Sequence, residues 1–215
     1  MRVSSEPILL ASYPRSGNTH LRTILWKCLG QRSASVYPND FGDQVEVAEA
    51  AGHVERHLDG RTYLPQGNLP LLKTHELASG EEAAIYIVRD PRRAIASFYH
   101  FYSGAISLET LIRGHHRFGT WSAHVQSWHP WNRPRTLLLR HEEMVADHAT
   151  TVSTLSEFLD RPIIDPEPPS RDRIAGRDGR WVRPPSDWRD TVTPELESLI
   201  IEVNGDAMRE LGYLD

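Results

Sequence analysis

The sequence predicts an α/β fold: a single domain in which a mostly parallel central sheet is covered by helices on both faces. Three observations predict it: short continuous apolar runs, helical patterns between them, and basic residues at the end of each run. Apolar runs without alternation are expected of strands buried on both faces. Strands that alternate with helices along the chain form parallel sheets. One domain over residues 1–215 is the simplest organisation for this length.

Four apolar runs are the predicted strands, and they are followed by amphipathic patterns. The runs are ILLASY (8–13), LPLLKT (69–74), AAIYIVR (83–89) and RTLLLRHE (135–142). The segment THLRTILWKCL, after the first run, repeats apolar residues at helical spacing. Asp90 and Pro91 are an N-cap and a first helical residue, and Thr193 and Pro194 open the last helix in the same way.

Three stretches lack a regular pattern, and we interpret them as loops and lids. They are residues 31–42, the tryptophan- and histidine-rich 113–134, and the proline-rich 162–190. The second follows the predicted third helix, so it is a candidate for part of an acceptor-binding wall, although most of its aromatic residues are expected to be packing residues.

Composition excludes several classes of protein. A net charge of −5 at pH 7 argues against a general binder of nucleic acid or membrane surfaces, which carries a broad basic face. The single cysteine, Cys28, excludes an intramolecular disulfide framework and fits a reducing compartment. The first apolar stretch is too short for a signal peptide, and no later run is long enough to span a bilayer. These features predict a cytoplasmic protein and leave its oligomeric state open.

Basic side chains come at the end of each predicted strand. They are Arg15, Lys73 with His75 beside it, Arg89 and Arg140. In open parallel sheets, ligands bind beyond the carboxyl ends of the strands, so these cations are expected at one edge of the sheet. The sequence therefore predicts a local pocket for a polyanion.

Two segments have the features of phosphate sites. In YPRSGNTHLR (13–22), Gly17 allows close approach of the backbone, and the following helix directs free N–H groups at the ligand. Neither G-x-x-x-x-G-K-[ST] nor G-x-G-x-x-G is present, so alone this loop is equally typical of a tight turn with a helix cap. In the second segment, Ser97 lies two helical turns after Arg89, and a guanidinium with a hydroxyl suits a second phosphate.

Together the two segments resemble the family of sulfotransferases that use 3′-phosphoadenosine 5′-phosphosulfate (PAPS), in its bacterial type with a P-loop-like fold. YPRSGNTHLR resembles the family's 5′-phosphosulfate loop, and VRDPRRAIASFYHF resembles its 3′-phosphate element. LLKTH matches the segment with the catalytic histidine, and LLLRHEEMVADHATTVSTLSEFL matches the downstream R-Y-E-[DE]-M block. These matches occur in the family's order along the chain.

The resemblance implies how the donor would be held. The 5′-phosphosulfate would be bound by Arg15, Ser16, Gly17, Asn18 and Thr19. The 3′-phosphate would be bound by Arg89 and Ser97, and Arg177 and Gly179 in GRDGRW match the late R-x-G element that closes over it. His20 stands where many members have a tryptophan beside the adenine, and His141 replaces the tyrosine of R-Y-E.

The resemblance also implies a reaction. A sulfuryl group would pass from PAPS to a hydroxyl of a small-molecule or carbohydrate acceptor, with His75 as general base and Glu76 as a second possible base. Lys73 and Arg15 would stabilise the charge that develops on the oxygens, and no metal is expected. His53 and His57 share a helical turn, which we interpret as a solvated face and not as a metal pair.

Two alternative functions stay open. A nucleotide-dependent phosphoryl transferase of the P-loop type would need magnesium and bind ATP, and the missing Walker lysine counts against it. A non-catalytic module that only holds a bisphosphorylated nucleotide would leave His75 and Lys73 dispensable.

Overall fold

The structure, a computed structural model, describes residues 6–56, 62–169 and 187–215, and its centre is a parallel sheet. The five strands are β1 (Ile8–Ser12), β2 (Ser33–Ser35), β3 (Leu71–Thr74), β4 (Ala84–Val88) and β5 (Thr136–Arg140). Their order in the sheet is β2-β3-β1-β4-β5, and every pairing is parallel. The predicted α/β class with a parallel sheet is confirmed.

Helices connect the strands. They are α1 (Asn18–Leu29), α2 (Val45–Ala50), α3 (Pro91–Phe101), α4 (Leu108–Ile112), α5 (Trp121–Trp128), α6 (His141–Ala146), α7 (His148–Leu159) and α8 (Pro194–Glu210), with a 3₁₀ turn at Trp188–Asp190. Both predicted start signals are confirmed. The Asp90 carboxylate accepts from the Arg92 N–H at 2.9 Å, and Thr193 accepts from the Leu196 N–H at 3.4 Å.

The two faces of β4 show how the sheet is covered. Ile85 and Ile87 pack on one face in a cluster with residues of α1 and α7. Tyr86 and Val88 point to the other face, into a cluster with residues of α3, α5 and α8. Each of these side chains is buried, and such burial stabilises the fold by roughly 1.5–3 kcal/mol per large aliphatic side chain. Helices on both faces are thereby confirmed.

Two of the expected loops contain regular structure. Residues 31–42 include β2, which pairs with β3 from Ser33↔Leu71 to Ser35↔Lys73. This strand is three residues long and has the sequence SAS, so it offers no apolar run to detect. Residues 113–134 include α5, whose Trp121 and Trp128 are buried in the core. No helix within the described ranges is long and apolar enough to cross a membrane.

The strand order fixes where the loops meet. β1 is flanked by β3 on one side and β4 on the other, so the segments that follow these three strands are adjacent at one edge of the sheet. β2 and β3 lie on one side of β1, and β4 and β5 lie on the other. The strand order therefore switches sides at β1, and open α/β sheets form a ligand crevice at such a position.

Candidate active site

The loop between β1 and α1 is built to expose backbone N–H groups. Arg15 and Gly17 both have left-handed backbone conformations, with φ of 66° and 106°. Gly17 is the N-cap of α1 and no side chain caps the helix, so the first-turn N–H groups are available to a ligand. A Cβ at Gly17 would lie 2.4 Å from Cδ2 of His141, so the position requires glycine for space as well as for conformation.

Asn18 ties this loop to β1, and Ser16 is buried beside it. The Asn18 side-chain amide donates to the Leu10 carbonyl at 2.9 Å, which ties the start of α1 to β1. Ser16 is fully buried, and it does not line the cavity described below. Within the described part of the chain, Ser16 Oγ and Asn18 Oδ1 have no hydrogen-bond partner. Two buried polar oxygens in one loop are costly unless a further group satisfies them.

The two phosphate-type segments meet in the structure. Arg15 Nε donates to Ser97 Oγ at 3.3 Å, and the Arg15 guanidinium lies over the Phe101 ring at 4.8 Å from its centre. Arg89 Nη1 donates to the Arg15 carbonyl at 2.9 Å. Arg15, predicted as a ligand of the 5′-phosphosulfate, therefore has its side chain beside the predicted 3′-phosphate residues.

One face of α3 lines the cavity. Arg93, Ser97 and His100 follow each other at helical spacing and share this face. Arg93 is exposed, and it is a cation that the sequence analysis did not select. Its neighbour Arg92 points away and bonds to Asp90 at 2.8 Å and to Glu197 at 3.3 Å. Arg93 could have been found from the sequence, because residues four apart share a helix face and Arg93 is four residues before Ser97.

The His75 ring is held in one tautomer. Its Nδ1 lies 2.7 Å from the Ser12 carbonyl oxygen, and a carbonyl only accepts, so Nδ1 carries the proton. Nε2 therefore has a lone pair, and no hydrogen bond from the described residues reaches it. Burial is the main reason why the pKa of His75 lies well below its ordinary value of 6.5, and the charge of the Lys73 ammonium lowers the pKa further. The imidazole is neutral at pH 7 and able to accept a proton.

The backbone of His75 is also fixed on both sides. Its N–H donates to the Tyr37 hydroxyl at 2.8 Å, and its carbonyl accepts from His124 Nε2 at 3.0 Å. The other nitrogen of His124 accepts from the Tyr86 hydroxyl at 2.8 Å. Burial lowers the pKa of His124 to about 4, so this histidine is a neutral core residue. It belongs to the stretch 113–134, which we predicted to be a loop.

Lys73 and Glu76 both have ion-pair partners. Lys73 Nζ lies 2.6 Å from Asp40 Oδ1 and 4.7 Å from the centre of the Tyr37 ring. Glu76 pairs instead with the exposed Arg117, and its side chain does not line the cavity. Of the two possible bases, His75 is the one that faces the cavity.

A single cavity of about 610 Å³ connects these groups. Of the predicted site residues, it is lined by Arg15, Gly17, Asn18, Thr19, His20, Lys73, His75, Arg89 and Ser97. Lining residues that the sequence analysis did not select include Tyr37, Asp40 and Arg93, and His141 lies there too. Phe118 also lines the cavity, and it belongs to residues 113–134, the predicted candidate for an acceptor-binding wall. The predicted Arg177 and Gly179 lie outside the described residues.

The prediction for Arg140 is wrong. Its guanidinium donates to the Leu211 carbonyl, lies 5.1 Å from the centre of the Tyr213 ring, and does not line the cavity. Leu211 is the C-cap of α8, and carbonyls at a helix C-terminus attract cations. Three strands, and not four, supply cations to the site.

The interpretation of His53 as a solvated residue is also wrong. Its side chain is buried, and Nδ1 accepts from Arg22 Nη2 at 2.7 Å. Burial and the Arg22 charge lower the pKa of His53. Residues 6–56, 62–169 and 187–215 contain no group of three or more His, Cys, Asp or Glu placed to hold a metal ion.

A parallel sheet with a glycine-containing loop and an uncapped helix after β1, and with cations after β3 and β4, defines a P-loop-like α/β protein. The chain belongs to the sulfotransferase domain family, whose model matches residues 5–172. Among solved structures, it is similar to mouse sulfotransferase SULT7A1 complexed with PAP, with a TM-score of 0.70, 21% identity, and coverage of 95% of this chain and 84% of that chain. Retinol dehydratase in complex with androsterone and inactive cofactor PAP gives a TM-score of 0.64 at 17% identity, covering 94% and 80%.

Curated relatives include animal enzymes. The 3-alpha-hydroxysteroid sulfotransferase of Cavia porcellus is 27% identical over 173 residues, and human sulfotransferase 1E1 is 28% identical over 179 residues. Each match covers 73% of this chain and 60% of the relative, so the chain spans about 60% of their length. The bacterial type implied by the motifs stays a prediction.

Proposed function

We propose that this protein transfers a sulfuryl group from PAPS to a hydroxyl of a small-molecule or glycan acceptor. The observation that carries the proposal is the shared cavity, which is lined by His75, by Lys73 and by the uncapped N-terminus of α1. Family membership and the similarity to a sulfotransferase complexed with PAP support it.

The cavity has a place for each end of the donor. The 5′-phosphosulfate would lie on the loop of residues 15–19, where backbone N–H groups and the positive end of the α1 dipole favour an anion. The 3′-phosphate would lie against Ser97, with Arg15, Arg89 and Arg93 around it, since guanidinium groups bind phosphate oxygens in bidentate fashion. The unsatisfied oxygens of Ser16 and Asn18 fit a loop that becomes more ordered around a ligand.

His20 and His141 are the candidates for contact with the adenine. Their rings are 6.4 Å apart in an edge-to-face arrangement, and both line the cavity near the exposed Val145. Two imidazole rings offer flat surfaces on which a base can pack. They would replace the tryptophan and the tyrosine of the related motifs.

In the proposed reaction His75 is the general base. Its Nε2 takes the proton of the acceptor hydroxyl as that oxygen attacks the sulfur. The bond between sulfur and the bridging oxygen breaks, and its electron pair goes to the departing 5′-phosphate. The Lys73 ammonium and the loop N–H groups would stabilise this charge without rearranging. The Arg15 guanidinium, which bonds to Ser97, would instead contact the 3′-phosphate. The products are the sulfated acceptor, adenosine 3′,5′-bisphosphate and a proton held by His75.

We further propose that the protein acts in the cytoplasm. Its one cysteine, Cys28, is buried as a free thiol, which suits a reducing compartment.

Two experiments test the proposed function against its alternatives. In a thermal-shift comparison, adenosine 3′,5′-bisphosphate is expected to raise the melting temperature more than ATP with magnesium. The opposite order would favour a phosphoryl transferase. In the second experiment, ³⁵S-labelled PAPS is incubated with phenols, steroids and sugars, and labelled product is expected for at least one class. Tight binding of the bisphosphate without transfer to any acceptor would favour the non-catalytic module.

A further inference from the structure

We propose that Asp40 is a positioning residue for the transfer, which keeps Lys73 charged and directs its ammonium group into the cavity. The inference rests on the proposed function, because it gives Lys73 a part in that reaction. It adds a carboxylate that lies outside the sequence motifs, and it gives a role to Arg22, the last residue of YPRSGNTHLR, to which the sequence analysis assigned none.

Asp40 divides its two oxygens between two cations. Oδ1 lies 2.6 Å from Lys73 Nζ, and Oδ2 lies 2.8 Å from Arg22 Nη1. The exposed fractions of the three side chains are 5% for Asp40, 9% for Lys73 and 1% for Arg22. Charges this deeply buried are stable only when they are paired. The carboxylate is therefore the group that allows both cations to be present.

Arg22 holds the carboxylate in place from the edge of the sheet. Its Nε donates to Ser33 Oγ at 2.8 Å, and its Nη2 donates to the Ser33 carbonyl at 3.3 Å and to His53 Nδ1 at 2.7 Å. The guanidinium also lies over the Phe41 ring at 4.9 Å from its centre. A planar guanidinium with its donors engaged on several sides is a rigid support. Ser33 is the first residue of β2, so the position of Asp40 is set by the sheet.

Lys73 keeps bonding capacity for a ligand. An ammonium has three N–H donors, and Asp40 is the one acceptor bonded to Nζ in the described part of the chain. The remaining donors are available to the oxygens of the transferring group, because Lys73 lines the cavity. Together Arg22, Asp40 and Lys73 carry one net positive charge at this wall.

The proton on Lys73 depends on Asp40. Burial lowers the pKa of Lys73, and the Asp40 carboxylate raises it again, while Arg22 and Arg15 lower it further. The other groups that face the amine are the Tyr37 ring and the neutral His75. Without the carboxylate the charged groups left near the amine would be Arg22 and Arg15, so the pKa of Lys73 would fall further. An uncharged amine would no longer stabilise the leaving phosphate. As the pH is raised, the variant without the carboxylate would therefore lose activity at a lower pH than the native protein.

The test measures the Lys73 proton directly. The chain contains only two lysines, Lys27 and Lys73, so ¹³Cε-labelled lysine gives two signals, which Lys27→Arg assigns. In Asp40→Asn the Lys73 signal is expected to titrate at least about one pH unit lower than in the native protein. An unmoved titration would overturn the proposal. The titration can be measured in a protein without activity, so its result does not depend on the proposed function. A failure of the proposed function would be seen instead as absence of sulfuryl transfer by the native protein.

Kinetics provide the second measurement. Asp40→Asn is expected to lower kcat by about tenfold or more, with the alkaline limb of its pH profile moved to lower pH. Affinity for adenosine 3′,5′-bisphosphate is expected to fall with it, because this product carries the 5′-phosphate that the charged Lys73 would stabilise. The double variant Asp40→Asn with Lys73→Met is expected to be no slower than Lys73→Met alone. A further loss in the double variant would show that Asp40 does not act through Lys73.

Two more variants complete the design. Asp165→Asn removes a carboxylate 2.5 Å from Lys27, far along α1 from the loop, and is expected to leave the Lys73 titration and kcat unchanged. If Asp40→Asn does not fold, Asp40→Glu keeps the charge and displaces it. This variant is expected to retain the Lys73 titration and to lower kcat, and native kcat in Asp40→Glu would contradict a positioning role.

Discussion

Arg15 and Ser97 are 82 positions apart in the sequence, and the Arg15 Nε donates to the Ser97 hydroxyl at 3.3 Å. Arg15 comes from the loop after β1, and Ser97 from the middle of α3. Each segment alone has an ordinary explanation, a tight turn or a helix hydroxyl. Their contact at the cavity joins two weak sequence signals in one place, as the proposed donor site requires.

Ser97→Ala is expected to weaken binding of adenosine 3′,5′-bisphosphate by about 10- to 100-fold, since a hydrogen bond to a charged group contributes about 1.5–3 kcal/mol. Adenosine 5′-monophosphate lacks the 3′-phosphate, so its affinity is expected to be unchanged. Isothermal titration calorimetry with both nucleotides measures the difference. Equal losses for the two would place Ser97 away from the 3′ end.

Arg93→Gln is expected to reduce the preference for the bisphosphate over the monophosphate by at least about tenfold, because a guanidinium on the same face as Ser97 is removed. Arg209→Gln, which removes an exposed arginine on α8, is the control and should leave the preference unchanged. Competition with a fluorescent bisphosphate measures both variants. An unchanged ratio in Arg93→Gln would exclude it from the phosphate site.

His75→Ala is expected to lower turnover by at least about 10²-fold, the low end for a positioned acid–base group. Bisphosphate affinity should survive, because the imidazole faces the acceptor side of the reaction. Steady-state kinetics and calorimetry on the same preparation separate the two effects. Near-native turnover in this variant would show that another group is the general base.

Stability is expected to fall as the pH is lowered, in part because of His124. Its pKa is about 4 in the folded protein and near 6.5 when unfolded, so the unfolded state binds more protons below pH 6.5. Between pH 7 and pH 5 this histidine removes about 2 kcal/mol of stability. His124→Gln should have a flatter pH dependence of the free energy of unfolding, measured by urea denaturation. An equally steep decline would assign the effect to other groups.

Gly17→Ala is expected to destabilise the fold and abolish binding of the bisphosphate. Alanine disfavours φ of 106°, and its Cβ would displace His141 from the loop. The control Gly42→Ala has a similar left-handed backbone and open space around it. It should lose stability but keep nucleotide binding, and loss of binding in both variants would attribute the effect to general destabilisation.

The sequence predicted the parts of the site that lie on regular elements. The loop after β1, the Asp90 cap and the spacing from Arg89 to Ser97 follow from local rules, and the structure has each of them. Asp40 and Tyr37 could not be found in this way, because they lie beyond a strand of three small residues with no apolar signal. Their roles depend on pairing between β2 and β3, which are far apart in the chain.

Arg22 carried a signal that the sequence analysis did not use. It is buried on α1 beside the apolar positions Leu21 and Leu25, where a charged residue requires a partner. A search for that partner would have led to the carboxylates of the following segment. Arg140 was selected wrongly as a site residue. It bonds to the Leu211 carbonyl at the end of α8, and no local sequence pattern connects these two positions.

The distribution of the two lysines has a practical consequence. Lys73 is enclosed at the cavity wall, whereas Lys27 is partly exposed in the last turn of α1, about 14 Å of helix away from the loop. Amine-directed attachment of the side chains to a biosensor surface would therefore use Lys27, and it would tether every molecule with the same orientation. The mouth of the cavity that we propose for the nucleotide would stay open to the flowing solution.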